Sequence, residues 1–171
     1  MPKPEQQRFS WKKGLKWLFA AALLIIGTLA SLVYLRPVAT MTLVQRGLLR
    51  LSGIESKFAQ VGPHRIHYLT GGDGPTLLLL HGHPSRALEW GPLLHKLTGK
   101  HRVVAIDFLG YGESDAPDMD YNIATQANIA LGLLDALGIN KTDVLGFSMG
   151  GWVALKFAAD HPERVKRLVL V

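Results

Sequence analysis

The sequence predicts an α/β domain with a mostly parallel sheet, preceded by a single membrane-crossing helix. Three observations carry this prediction. Short β-prone runs alternate with helical segments after an initial hairpin, the pattern of a parallel sheet with crossover helices. Residues 76–80 (TLLLL) form a continuous apolar run, as in a strand buried on both faces. Residues 17–35 (WLFAAALLIIGTLASLVYL) carry no charge over 19 positions.

The elements follow in order. At about 1.5 Å per residue, a helix over Trp17–Leu35 is roughly 28 Å long, close to the hydrocarbon thickness of a bilayer. Trp11, Trp17 and Tyr34 sit near its ends, where amphipathic rings favour the headgroups. A cleaved signal peptide has a shorter apolar stretch and an A-x-A-like site, which Pro37-Val38-Ala39 matches poorly. A soluble helix is rarely apolar all round for five turns. An uncleaved anchor is therefore expected, behind a basic tail over 1–16. Lys3, Arg8, Lys12, Lys13 and Lys16 precede the span, and Arg36, Arg46 and Arg50 follow it. The positive-inside bias then puts the N-terminus in the cytoplasm and the domain outside it.

Residues 36–54 read as a linker in which Pro37 stops or bends the membrane helix. Within it, Leu43, Leu48, Leu49 and Leu51 with Arg46 and Arg50 suggest an amphipathic turn or two. The domain occupies 55–171. Residues 56–61 and 64–70 flank Gly62-Pro63 as a hairpin, and 85–98 read as a helix interrupted at Gly91-Pro92. A second buried strand follows at 102–107. Helical spacing runs over 121–137 up to Gly138, and then come a strand (142–147), a helix (152–160) and a strand (165–171).

Composition removes several function classes. Hydrophobic residues make up 48% and charged residues 19% of the 171, which excludes a disordered chain. There is no cysteine, so disulfides, thiol nucleophiles and Cys-ligated zinc are excluded. The net charge of +6 suggests a polyanion binder only until it is located. Residues 1–50 hold 8 basic and 1 acidic side chains (8 − 1 = +7), and 51–171 hold 11 and 12 (−1). The domain itself is near neutral, so no nucleic-acid partner is expected.

The chemistry concentrates in three segments. Gly146-Phe147-Ser148-Met149-Gly150 matches G-x-S-x-G between a predicted strand and a predicted helix. The glycines Gly146 and Gly150 permit the tight turn that lifts the Ser148 hydroxyl above the sheet edge. The Met149 N–H opens the next helix and can stabilise charge on an oxygen. His81-Gly82-His83-Pro84 follows the 76–80 strand and can aim the His83 N–H at that same oxygen. Asp107 to Ser114 (DFLGYGES) forms a tight loop at the carboxyl edge of the sheet, where sites gather.

These three segments, in this order, resemble the α/β-hydrolase superfamily over residues 56–171, the N-terminal half of such a domain. The resemblance implies the first six strands of that sheet, with the C-terminal strands missing from this chain. It also implies Ser148 as nucleophile, with His83 and Met149 N–H groups as the oxyanion hole. Asp107 and Gly110 to Ser114 would be structural loop residues. The wording of the motifs is similar to single-domain esterases, cofactor-free haloperoxidases and perhydrolases, and epoxide-hydrolase relatives; the last use an Asp nucleophile, against which Ser148 argues. Family triads continue with an acid and then a histidine on later loops.

After Ser148 this chain offers only Asp160, His161 and Glu163. These fall at the far end of the helix that Ser148 begins, about 18 Å away for about 12 residues. His64, His67, His95 and His101 read as strand, helix or turn residues with no partner. His81 and His83 lack a third metal ligand, so no metal and no cofactor is expected. The expectation is a membrane-anchored serine hydrolase acting on a small, lipophilic ester or related acyl bond. Membrane lipid is its other partner, and this chain is a fragment lacking the acid and His. The alternatives are a non-catalytic truncated or binding member, a perhydrolase or haloperoxidase-like enzyme, or a C–C bond hydrolase.

Overall fold

The computed structural model describes residues 11–171; residues 1–10 of the basic tail, with Lys3 and Arg8, lie outside the described residues, and the rest of the tail opens the first helix. The chain divides into two units, one up to Val44 and one from Gln45 to Val171. Helix α1 (Trp11–Leu35) contains 22 residues, Gly14–Leu35, long and apolar enough to cross a bilayer, as a signal sequence near an N-terminus also is. From Leu15 to Leu35 its apolar side chains are exposed.

Helix α2 (Pro37–Leu51) begins with a proline, which tolerates the first helical position because that N–H has no partner in any helix. The Thr40 hydroxyl lies 3.1 Å from the Leu32 carbonyl oxygen and 2.9 Å from that of Arg36, two groups at the break. Where the sequence suggests an amphipathic turn or two, the structure has fifteen helical residues. In the second unit Leu49 is buried and Arg46 pairs with Glu113.

A hairpin, β1 (Glu55–Val61) and β2 (His64–Gly71), turns at Gly62 with φ +56°. Then come β3 (Thr76–Leu80), a 3-10 turn (Ala87–Trp90) and α3 (Gly91–Leu97). The expected interruption of one helix at Gly91-Pro92 is thus a junction of two short ones. Next are β4 (Arg102–Ile106), α4 (Ile123–Ala136), β5 (Thr142–Gly146), α5 (Met149–Asp160), a 3-10 turn (Pro162–Arg164) and β6 (Val165–Leu170). The sheet runs β1-β2-β4-β3-β5-β6. β1 to β2 and β2 to β4 are antiparallel, and the remaining pairings are parallel.

The continuous apolar runs are explained by burial on both faces. Leu78, Leu80, Val104 and Ile106 point into one core with Ala130, Leu133, Leu134 and Phe157 from α4 and α5. Their neighbours Leu77, Leu79, Val103 and Ala105 point the other way, into a second core with Ala87, Leu88, Trp90 and Leu94. At about 25 cal/mol per Å² of apolar surface removed from water, these two cores hold the sheet that carries the site.

Candidate active site

Three loops at the carboxyl ends of β3, β4 and β5 meet, and each is held by contacts that its sequence makes possible. The turn after β5 is the tightest. Ser148 has φ +52° and ψ −117°, and among the described residues no other non-glycine has a positive φ. An L-residue in such a conformation costs about 1–3 kcal/mol and persists only when its surroundings enforce it. Here the Ser148 N–H donates to the Val171 carbonyl at 2.9 Å, and the Phe147 N–H donates to that of Leu80 at 3.0 Å.

A Cβ on Gly146 would stand 2.3 Å from the Gly150 carbonyl oxygen, and one on Gly150 would stand 2.1 Å from that of Leu80. Only glycine lets the start of α5 approach the strands this closely. Ser148 is the N-cap residue of α5, yet its side chain makes no capping bond. Its exposed hydroxyl is hydrogen-bonded to no side chain among the described residues.

The loop after β3 lies directly against this turn, since a Cβ on Gly82 would be 3.2 Å from Ser148 Cβ. His81 fixes the loop from beneath. The Phe108 N–H donates to its Nε2 at 3.2 Å, so the proton sits on Nδ1, which donates to the Gly82 carbonyl at 2.7 Å. Burial pushes the His81 imidazole below its ordinary pKa, outweighing the opposing pull of Gly82, Asp107 and Glu89. His81 is therefore a neutral, fully buried strut. Among the described residues, no backbone carbonyl takes the N–H of His83 or of Met149.

The loop after β4 is built around Asp107, which is 1% exposed. Its Oδ1 accepts from the Ala87 N–H at 2.5 Å, and its Oδ2 from the Glu113 N–H at 2.9 Å and from His67 Nδ1 at 2.7 Å. Burial alone would raise the carboxyl pKa; the His67 ring and the two N–H donors together outweigh it and hold the group below its usual range. Gly112, with φ +56°, is the close approach in this loop, for a Cβ there would lie within 2.0 Å of Asp107 Oδ2. Gln126 on α4 pairs with both the N–H and the carbonyl of Leu109, at 3.0 and 2.8 Å.

His67 is the residue that sequence reasoning missed. Read as a partnerless strand residue, it is buried between Asp107 and Ser56, whose hydroxyl is 2.7 Å from Nε2. A signal was available: Ile66-His67-Tyr68 is a run on a strand with both faces covered, and a buried imidazole requires partners. His67, Asp107 and Glu113 also place donor atoms within 4.8 Å of one another, a spacing that suits a metal. Here the Asp107 oxygens already accept protein N–H groups and Glu113 is paired with Arg46, so the cluster spends its lone pairs on the fold.

Of the residues singled out in the sequence, Ser148, His83, Met149, Gly146 and Gly150 are brought together. His161 sits at the C-terminal end of α5 against Phe157 and Glu163.

Comparison with known proteins agrees with this architecture. A family model described as alpha/beta hydrolase fold matches residues 75–171. An uncharacterized protein of Mycobacterium tuberculosis is 39% identical over 115 residues, covering 67% of this chain and 34% of the relative. A soluble epoxide hydrolase of a Corynebacterium is 36% identical over 113 residues, covering 66% and 40%. Among solved structures, a bacterial membrane phospholipase A described as a virulence factor superimposes with a TM-score of 0.75 at 34% identity, covering 91% of this chain and 51% of that one. The chain thus spans little more than a third of the length of these curated relatives.

Proposed function

This chain belongs to the alpha/beta hydrolase family, and on that premise we propose a membrane-anchored serine hydrolase that cleaves an ester or related acyl bond. The observation that carries the reading is Ser148: a strained, exposed, uncapped serine at the head of α5. Such a turn is costly, and its effect is to present a hydroxyl. Ser148 Oγ attacks the carbonyl carbon and passes its proton to a histidine. The developing oxyanion receives the N–H groups of His83 and Met149, the alcohol departs with the proton, and water then releases the acid from the acyl-enzyme.

The histidine and its acid belong to sequence beyond Val171. Two facts support this: no described histidine bonds the Ser148 hydroxyl, and the chain covers only 34–40% of its curated relatives. The epoxide hydrolase relative favours no second reading, because ring opening in that group uses a carboxylate at the position Ser148 holds.

Residues 17–35 cross the membrane after the 1–16 tail, 36–54 connect, and 55–171 are the hydrolase portion. The N-terminus is cytoplasmic and the domain extracytoplasmic. Supporting the anchor are the apolar exposed α1 and the alignment with the membrane phospholipase, and the excess of basic residues before the span supports the orientation. Covering 91% of this chain, that alignment leaves about 15 of 171 residues unmatched, fewer than the 41 from Trp11 to Leu51. Lipophilic esters, membrane lipids included, are the substrate class.

Membranes holding the natively encoded protein and washed with alkaline carbonate are expected to hydrolyse medium-chain p-nitrophenyl esters and to leave styrene oxide intact. Release of all activity into the wash would contradict the anchor, and turnover of the epoxide alone would contradict the acyl chemistry.

A further inference from the structure

We propose that Tyr111 is a positioning residue for the oxyanion hole, holding the two donor residues through their side chains; this rests on the serine-hydrolase reading above. His83 lies on the loop after β3 and Met149 is the first residue of α5, 66 positions apart in sequence (149 − 83). Their side chains nevertheless converge on one oxygen. His83 Nδ1 lies 2.9 Å from the Tyr111 hydroxyl, and that hydroxyl lies 3.8 Å from Met149 Sδ. A phenol has one proton. With that proton directed to the thioether, the Nδ1–H of His83 donates to the oxygen, and both contacts are satisfied at once.

The phenol is itself fixed. Its ring meets His83 edge-on at 5.7 Å and 89°, and His81 at 5.5 Å. The Tyr111 N–H donates to the Phe108 carbonyl at 2.9 Å, in the loop anchored by Asp107 and Gln126. Tyr111 therefore ties the β3 loop and the start of α5 to the loop that Asp107 and Gln126 hold by hydrogen bonds. Oxyanion donors act by being in place before charge develops, and removing one such donor typically lowers kcat about 10²–10³-fold. Loosening two donors without removing either should cost less, about tenfold in kcat.

The test uses the natively encoded protein in detergent, with Tyr111→Phe, which keeps the ring and its edge contacts. The expected result is a fall in kcat of about tenfold with KM within about twofold. Affinity for an alkylboronic acid, whose tetrahedral adduct on Ser148 puts an oxygen in the hole, should fall by the same factor as kcat. A merely structural role would not make those two quantities move together.

Met149→Leu, which removes only the sulfur acceptor, is expected to give a smaller parallel loss, and the double variant less than the product of the two. Should Tyr111→Phe fail to fold, Met149→Leu decides alone, by the parallel loss of kcat and boronate affinity. Unchanged kcat and boronate affinity, or fully multiplicative effects, overturn the inference. Failure of a fluorophosphonate to label wild-type Ser148 would instead strike the serine-hydrolase reading, so the two failures are distinguishable.

Discussion

Ser148→Ala is expected to lower kcat for ester hydrolysis by about 10⁴–10⁶-fold in the natively encoded protein, leaving only what binding and the oxyanion donors supply. It is also expected to leave the unfolding free energy within about 0.5 kcal/mol of wild type. The second half of that expectation is unusual for an N-cap position, where serine to alanine ordinarily costs about 1 kcal/mol. Ser148 caps nothing, since its side chain accepts no N–H from α5, and alanine at φ +52° carries the same backbone strain as serine. Ser148→Gly, which relieves that strain, should therefore be the more stable inactive variant. Kinetics and urea denaturation on the three proteins check both halves.

Asp107→Ala carries the largest expected effect on stability, a loss of about 3–5 kcal/mol at neutral pH. The substitution strands three donors, the buried Ala87 N–H and His67 Nδ1–H and the half-buried Glu113 N–H. It also frees the loop that carries Tyr111. A loss of this size is a large fraction of a domain's total stability of about 5–15 kcal/mol.

The sign of its pH dependence follows from the depressed carboxyl pKa. A carboxylate whose folded pKa lies below its unfolded value, about 3.9, contributes fully above that value and loses its contribution as pH falls through the folded pKa. The gap in unfolding free energy between wild type and Asp107→Ala should therefore be constant from neutral pH down to about 5 and narrow below about 4. A gap independent of pH down to 3 would mean that the carboxylate is not what holds the loop.

What was legible in the sequence was local or periodic. The β3 strand falls on the expected residues 76–80, because four consecutive leucines after Thr76 suit a strand buried on both faces. The α4 helix, expected over 121–137, spans Ile123–Ala136. Its ends are set by Asn122, whose side chain accepts the Thr125 N–H, and by Gly138 at φ +66°.

What stayed hidden was long-range and polar. The His67–Asp107 bond joins residues 40 apart, Arg46–Glu113 joins residues 67 apart, and Gln126 reaches back 17 to Leu109. No propensity or spacing rule links such pairs; the first is fixed only once β2 lies antiparallel beside β4. Helix α2 was underestimated for a different reason: a proline that reads as a stop for one helix also serves as the first residue of the next.

The central claim is that the Ser148 hydroxyl forms the covalent intermediate. Treating the natively encoded protein with an alkyl fluorophosphonate, digesting it and mapping the modified peptide by mass spectrometry tests this directly. A single adduct on the peptide containing Ser148, lost in Ser148→Ala and blocked by prior addition of an ester substrate, is the predicted result. Ester turnover with no adduct at Ser148, or with the adduct on another serine such as Ser56 beside His67, would contradict it.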